Sequence, residues 1–118
     1  MPEYPGQLQS MTESDLQRAL ASPRIVGIHC WADWNGYDYQ LADQLPLMTG
    51  RFTSFVDFYA IDTGLPANVD ALSRWSVLNV PAFVFLRNEE HLVTLYMQQE
   101  STSEFMLRVQ DWLIAAVA

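Results

Sequence analysis

The chain has 118 residues, half of them apolar, a length suited to one compact domain that buries its core without disulfide staples. Fourteen acids against six bases, every base an arginine, give a formal charge of −8, and the lone Cys30 excludes an internal disulfide and all CxxC chemistry. These counts also argue against nucleic acid, which needs a clustered basic face, and against a bilayer span, which needs roughly 20 consecutive apolar residues.

The opening residues, Met1-Pro2-Glu3-Tyr4-Pro5-Gly6, lack the basic and then apolar run of a secretory signal, so a cytoplasmic location is expected. Residues 1–11 read as loosely ordered or as a short first strand between Gln7 and Met11. Thr12-Glu13-Ser14-Asp15 predicts a helix start with Thr12 as cap and acids in the first turn; Leu16 and Leu20 continue it, and Pro23 ends it. Arg24 to Trp31 is a short apolar run rich in β-branched residues, the pattern of a central strand covered on both faces.

After a loop from Ala32 to Gly36, Leu41, Leu45 and Met48 recur at helical spacing. Pro46 is expected to kink this helix and Gly50 to stop it. Phe55 to Ile61 predicts a second core strand, and Asp62 to Pro66 turns into a short helix carrying Val69, Leu72 and Trp75. Ala82–Leu86 and His91–Met97 flank the turn Arg87-Asn88-Glu89-Glu90 as a hairpin. Ser101-Thr102-Ser103-Glu104 is a capping box opening a last helix, whose Phe105, Val109, Trp112, Leu113 and Ala116 make one apolar stripe. The chain therefore reads as a single α/β domain over residues 1–118, with four to five strands in a central mixed sheet and helices on both faces.

This order resembles the thioredoxin fold, and the likeness is local as well as global. Thioredoxins end their central strand in W-A-x-W-C-G-P-C, and this chain reads Trp31-Ala32-Asp33-Trp34-Asn35-Gly36-Tyr37-Asp38 there. They also place an aliphatic residue before a proline at the start of the fourth strand, matched by Val80-Pro81, and end the preceding strand as Ala60-Ile61-Asp62 does. The resemblance covers about residues 12 to 116. It implies a cis bond before Pro81, and a main chain at Val80 that pairs with an extended substrate peptide.

The departures remove the family's chemistry. In that family the first cysteine attacks and the second resolves the mixed disulfide; here Asn35 and Asp38 hold those places, and neither exchanges thiols. Tyr37 replaces the proline between them and His29 the buried acid of the central strand. Asp43 stands where the second helix normally has its proline, and Gln98 or a neighbour replaces the glycine that lets a substrate chain approach.

Recognition without redox chemistry is the expectation that follows: a redox-inactive, chaperone-like or accessory module that binds a protein or an extended peptide. Its expected site is Trp34, Asn35, Gly36, Tyr37, Asp38, Val80 and Pro81. Asp33 and Asp43, with Asp38, are candidates for an acidic rim toward a basic partner; helix-dipole stabilisation is the simpler account of Asp38. No cofactor, metal, nucleic acid or membrane is expected, and the sequence leaves the oligomeric state open. Two rivals stand beside this reading. One is an enzyme using Cys30, or His29 with Asp38; adjacent strand residues point to opposite faces, so His29 and Cys30 cannot act as a base and nucleophile pair. The other is a structural subunit using the sheet edge or the last helix.

Overall fold

The two continuous apolar runs take the middle of the sheet. The structure, a computed structural model, describes residues 3–118. Its strands are β1 (Gln9–Ser10), β2 (Ile25–Trp31), β3 (Val56–Asp62), β4 (Ala82–Arg87) and β5 (Glu90–Tyr96). The helices are α1 (Glu13–Ala21), α2 (Gly36–Phe52), α3 (Val69–Arg74), entered by a 3₁₀ turn at Pro66–Asn68, and α4 (Thr102–Val117). The sheet runs β1-β3-β2-β4-β5. β1, β3 and β2 are parallel, while β4 and β5 run antiparallel to their neighbours.

Side-chain alternation along β2 and β4 divides the core in two. Ile25, Phe83 and Phe85 pack against Leu41, Leu45 and Met48 of α2 and Phe105, Val109 and Leu113 of α4. Val26, Ile28, Cys30, Val84 and Leu86 face the other way, onto Ala19 of α1 and Ala71 and Leu72 of α3. Each fully buried Leu, Ile or Phe contributes about 1.5–3 kcal/mol, so the two clusters hold the sheet from both sides. Gly27 lies where no side chain fits: a β-carbon there would sit 2.8 Å from the Phe85 ring and 3.0 Å from Phe58.

Local signals set most helix ends. Thr12 and Asp15 form a reciprocal capping box at α1, and Ser101 and Glu104 form another at α4. Gly50 does not stop α2. The helix runs through Pro46 and Gly50 to Phe52, whose buried ring anchors the last turn against the core, and the packing gain outweighs the weak helix propensity of glycine. β4 and β5 are joined through Asn88 and Glu89, at φ 51° and 65°, between the paired residues Arg87 and Glu90. This is the two-residue, left-handed turn that suits the twist of a hairpin.

α3 ends in a left-handed residue, Ser76 at φ 57°. The Val77 amide donates to Leu72 O (2.9 Å) and the Ser76 amide to Ser73 O (3.1 Å), the double bond pattern that closes a helix and turns the chain away. That turn delivers Leu78, Asn79 and Val80 to the end of the sheet where β2 finishes. Among the described residues no helix is long and apolar enough to cross a membrane.

Candidate functional site

The loop between β2 and α2 is built by Asn35. Its backbone is extended, and its side-chain Oδ1 accepts from the Tyr37 amide at 2.9 Å, capping α2. Asparagine is among the best residues for that place, so the helix start is stable with no cysteine at its tip. The second amide arm of Asn35 reaches across the molecule: Nδ2 donates to Val80 O at 3.2 Å.

Asp38, in the first turn of α2, points inward and is wholly buried. Its Oδ2 accepts the Ala32 amide at 3.0 Å and its Oδ1 lies 2.8 Å from His29 Nε2. His29, equally buried, meets the Tyr4 hydroxyl through Nδ1 at 2.7 Å. With Asp38 ionised, Nε2–H donates to the carboxylate, and Nδ1 accepts the phenolic proton. Burial, reinforced by the nearby Asp38 charge, holds the Tyr4 hydroxyl well above the usual phenol range, which keeps it a donor. The imidazole is also stacked on Phe83 (ring centroids 5.3 Å apart, planes 6° apart), with the Tyr4 ring edge-on at 5.5 Å. Every polar atom of this buried chain has a partner, as burial demands.

Cys30 lies on the opposite face of the sheet, fully buried among Val26, Ile28 and Val84. Burial first, and the Asp38 charge second, push its thiol well above the usual range. A thiolate nucleophile is therefore disfavoured there. Neither His29 nor Asp38 lines the two grooves that open at this end of the molecule.

Those grooves flank Val80. One, about 370 Å³, is walled by Trp34, Val69, Leu72, Val77 and Leu78. The other, also about 370 Å³, is walled by Asn35, Tyr37, Pro81, Met97 and Gln98. Trp34 is 74% exposed, Tyr37 53%, Val69 55% and Leu78 87%. The Val80–Pro81 bond is cis. The Val80 amide donates to Asn79 Oδ1 at 3.0 Å. Together with the Asn35 bond to its carbonyl, this engages the amide and one lone pair of the carbonyl of Val80.

The structure thus brings Trp34, Asn35, Gly36, Tyr37, Val80 and Pro81 to one face, with Trp34, Gly36 and Tyr37 exposed and Asn35 and Pro81 largely covered. Asp38 departs from that expectation: it belongs to the interior and not to an acidic rim, because a buried imidazole and a free amide claim both its oxygens. Asp33 and Asp43 are exposed. Val69, Leu78 and Asn79 are additions that sequence reasoning missed; Leu78, an apolar residue beside Asn79 just before the proline, was their one visible signal. Tyr4 was missed because its partner lies 25 residues away. Among the described residues no three His, Cys, Asp or Glu side chains group as a metal site requires.

The chain is an α/β protein of thioredoxin fold whose end-of-sheet loop carries Asn35 and Asp38. No protein-family model matches the chain, and no curated protein matches it. Solved structures do. A designed protein is 24% identical with a TM-score of 0.72, the match covering 95% of this chain and 100% of that one. Thioredoxin from Trypanosoma brucei brucei is 18% identical with a TM-score of 0.68, over 97% and 95% of the two chains. The germline-specific thioredoxin Deadhead from Drosophila melanogaster is 18% identical with a TM-score of 0.70, over 95% and 100%. At these identities the likeness establishes the fold alone.

Proposed function

We propose that the chain is a protein-binding module that has given up dithiol exchange and holds a polypeptide partner on the face around Trp34 and Val80. The carrying observation is the pairing of an exposed apolar set, Trp34, Tyr37, Val69 and Leu78, with a buried Tyr4–His29–Asp38 chain beneath the loop whose polar atoms all have internal partners. Large exposed aromatics beside a shaped groove are the usual anchors of protein recognition. A sealed Tyr4–His29–Asp38 chain, by contrast, offers no open position for a reacting atom. The partner's chemistry follows from the charge: a net −8 with Asp33 exposed beside Trp34 favours a basic polypeptide. An accessory or chaperone-like role fits such a surface.

The test is quantitative affinity capture from the native source with three proteins: the wild type, the double variant Trp34→Ala/Leu78→Asp, and Leu107→Asp on α4. Leu47 and Leu107 border a separate groove of about 500 Å³ between α2 and α4, the surface that a purely structural subunit would use. All three positions changed are exposed, so folding, checked by thermal unfolding, should be kept. The proposal expects partners to be lost with the loop-face variant and kept with Leu107→Asp. The reverse pattern would transfer the function to the helical face.

A further inference from the structure

A strand that adds to a sheet edge needs free N–H and C=O groups to pair with. At Val80 both are engaged by side chains. The Asn79 side chain takes the amide at 3.0 Å and the Asn35 side chain takes the carbonyl at 3.2 Å. Asn35 is held in that pose by its other arm, which caps α2 through the Tyr37 amide at 2.9 Å. An extended peptide laid along Val80 would therefore have to displace the Asn79 side chain from the amide and share the carbonyl with Asn35. If it did not, those of its main-chain groups laid against the apolar part of the groove would lack partners, which burial penalises.

A helix has no such difficulty, because its main chain is satisfied internally and it meets a groove with side chains only. The groove beside Val80 suits that approach. Its apolar walls, Trp34, Val69, Leu72, Val77 and Leu78, present carbon surface interrupted by Thr63, Ser73 and Asn79, and acids stand next to two of them in sequence: Asp33 beside Trp34 and Asp70 beside Val69, both exposed. Arg74 also lies on α3, within a chain whose net charge is −8.

We infer that Asn35 and Asn79 are built-in caps that close the strand-pairing edge at Val80, and that this face takes an amphipathic helix with an apolar stripe and a basic flank. The inference rests on the loop-face reading above and names the form of the partner. It also gives the residue in the first-cysteine position a role: Asn35 shapes specificity by what it excludes.

The probes are two synthetic peptides of identical Leu, Ala, Gln and Lys composition, about 16 residues long, enough to hold a helix. One spaces its leucines for a helical face, the other alternates them as in a strand. Each is titrated into the isotope-labelled full chain and followed by amide and indole NMR shifts. They are titrated in parallel into the double variant Asn35→Ser/Asn79→Ala, in which serine keeps the helix cap and both caps on Val80 are removed. With the wild type, the helical peptide should move the Trp34 indole and Leu78 resonances, and the alternating peptide should leave the Val80 amide unmoved. The double variant should gain at least about tenfold in affinity for the alternating peptide, with the Val80 amide now shifting. An alternating peptide that binds the wild type at Val80 as tightly as it binds the variant overturns the inference. If the helical peptide moves the loop but the variant shows no gain, the caps are refuted while the loop-face reading stands. If neither peptide moves the loop, the helical form of the partner is refuted, and the loop-face reading is decided separately by the capture experiment.

Discussion

Asp38 decides the character of the loop, since it stands in the first turn of α2 and makes no contact with solvent. Its carboxylate satisfies the Ala32 amide and the His29 ring at once. An orphaned buried polar group costs roughly 1–3 kcal/mol. Asp38→Ala strands two of them and should lower the unfolding free energy by about 3 kcal/mol in urea denaturation. Asp38→Asn can keep both bonds if the imidazole tautomer reverses, so its loss should be the smaller of the two; equal losses would show that charge, and not hydrogen bonding, is what the site requires. Cys30 gives a second test at this scale. Buried on the opposite face of the sheet, with its thiol held protonated, it should react with Ellman's reagent only after unfolding. Reaction in the folded protein would reopen the case for a one-cysteine enzyme. None of this network could be read in the sequence beyond the residue types. His29 could be placed on a buried strand from its apolar neighbours, but its partners Tyr4 and Asp38 are 25 and nine residues away, brought in by the tertiary fold.

At the scale of elements, what was legible was what is local. The boxes at Thr12–Asp15 and Ser101–Glu104, the apolar runs of β2 and β4 and the hairpin turn each depend on a few consecutive residues, and each formed where those residues stand. Gly50 misled because a glycine reads as a stop unless the burial of Phe52 beyond it is known. The difference is measurable. A β-carbon at Gly50 meets nothing within 4 Å and the position has no positive φ, so Gly50→Ala should raise stability by about 1 kcal/mol; a glycine serving as a left-handed stop would instead lose stability on that change. Glu89, at φ 65° in the hairpin turn, predicts a parallel gain of about 0.5–1 kcal/mol for Glu89→Gly, read as a higher melting temperature. Element ends also set the acid limit. The Thr12 backbone bond, first among several contacts, holds Asp15 below the usual carboxylate range, and the Arg108 bond does the same for Glu100. The folded chain therefore binds fewer protons than the unfolded one near and below about pH 4. The stabilisation is present above that range and should fall away as pH drops through it, as a series of urea midpoints from neutral to acid pH would show.

For the whole molecule, the thioredoxin fold supplies a rigid sheet end at which β2, the start of α2 and the turn into β4 converge. The fold itself was readable because the apolar runs, the loop from Trp31 and the Val80-Pro81 turn follow one another in an order that few architectures share. Less readable was which loop residues would show. Trp34, Tyr37, Val69 and Leu78 remain outside, while the interior is filled by Trp31, Tyr4 and the His29–Asp38 pair on one face of the sheet and by Leu72 and Trp75 on the other. On the proposed function this outward set is the working surface. The most direct measurement is photocrosslinking in the native source from a photoreactive residue placed at Trp34, beside a matched protein carrying it at Leu107. The expected result is a discrete, saturable adduct with a basic polypeptide from the Trp34 position and none from Leu107. Adducts from Leu107 alone would contradict it.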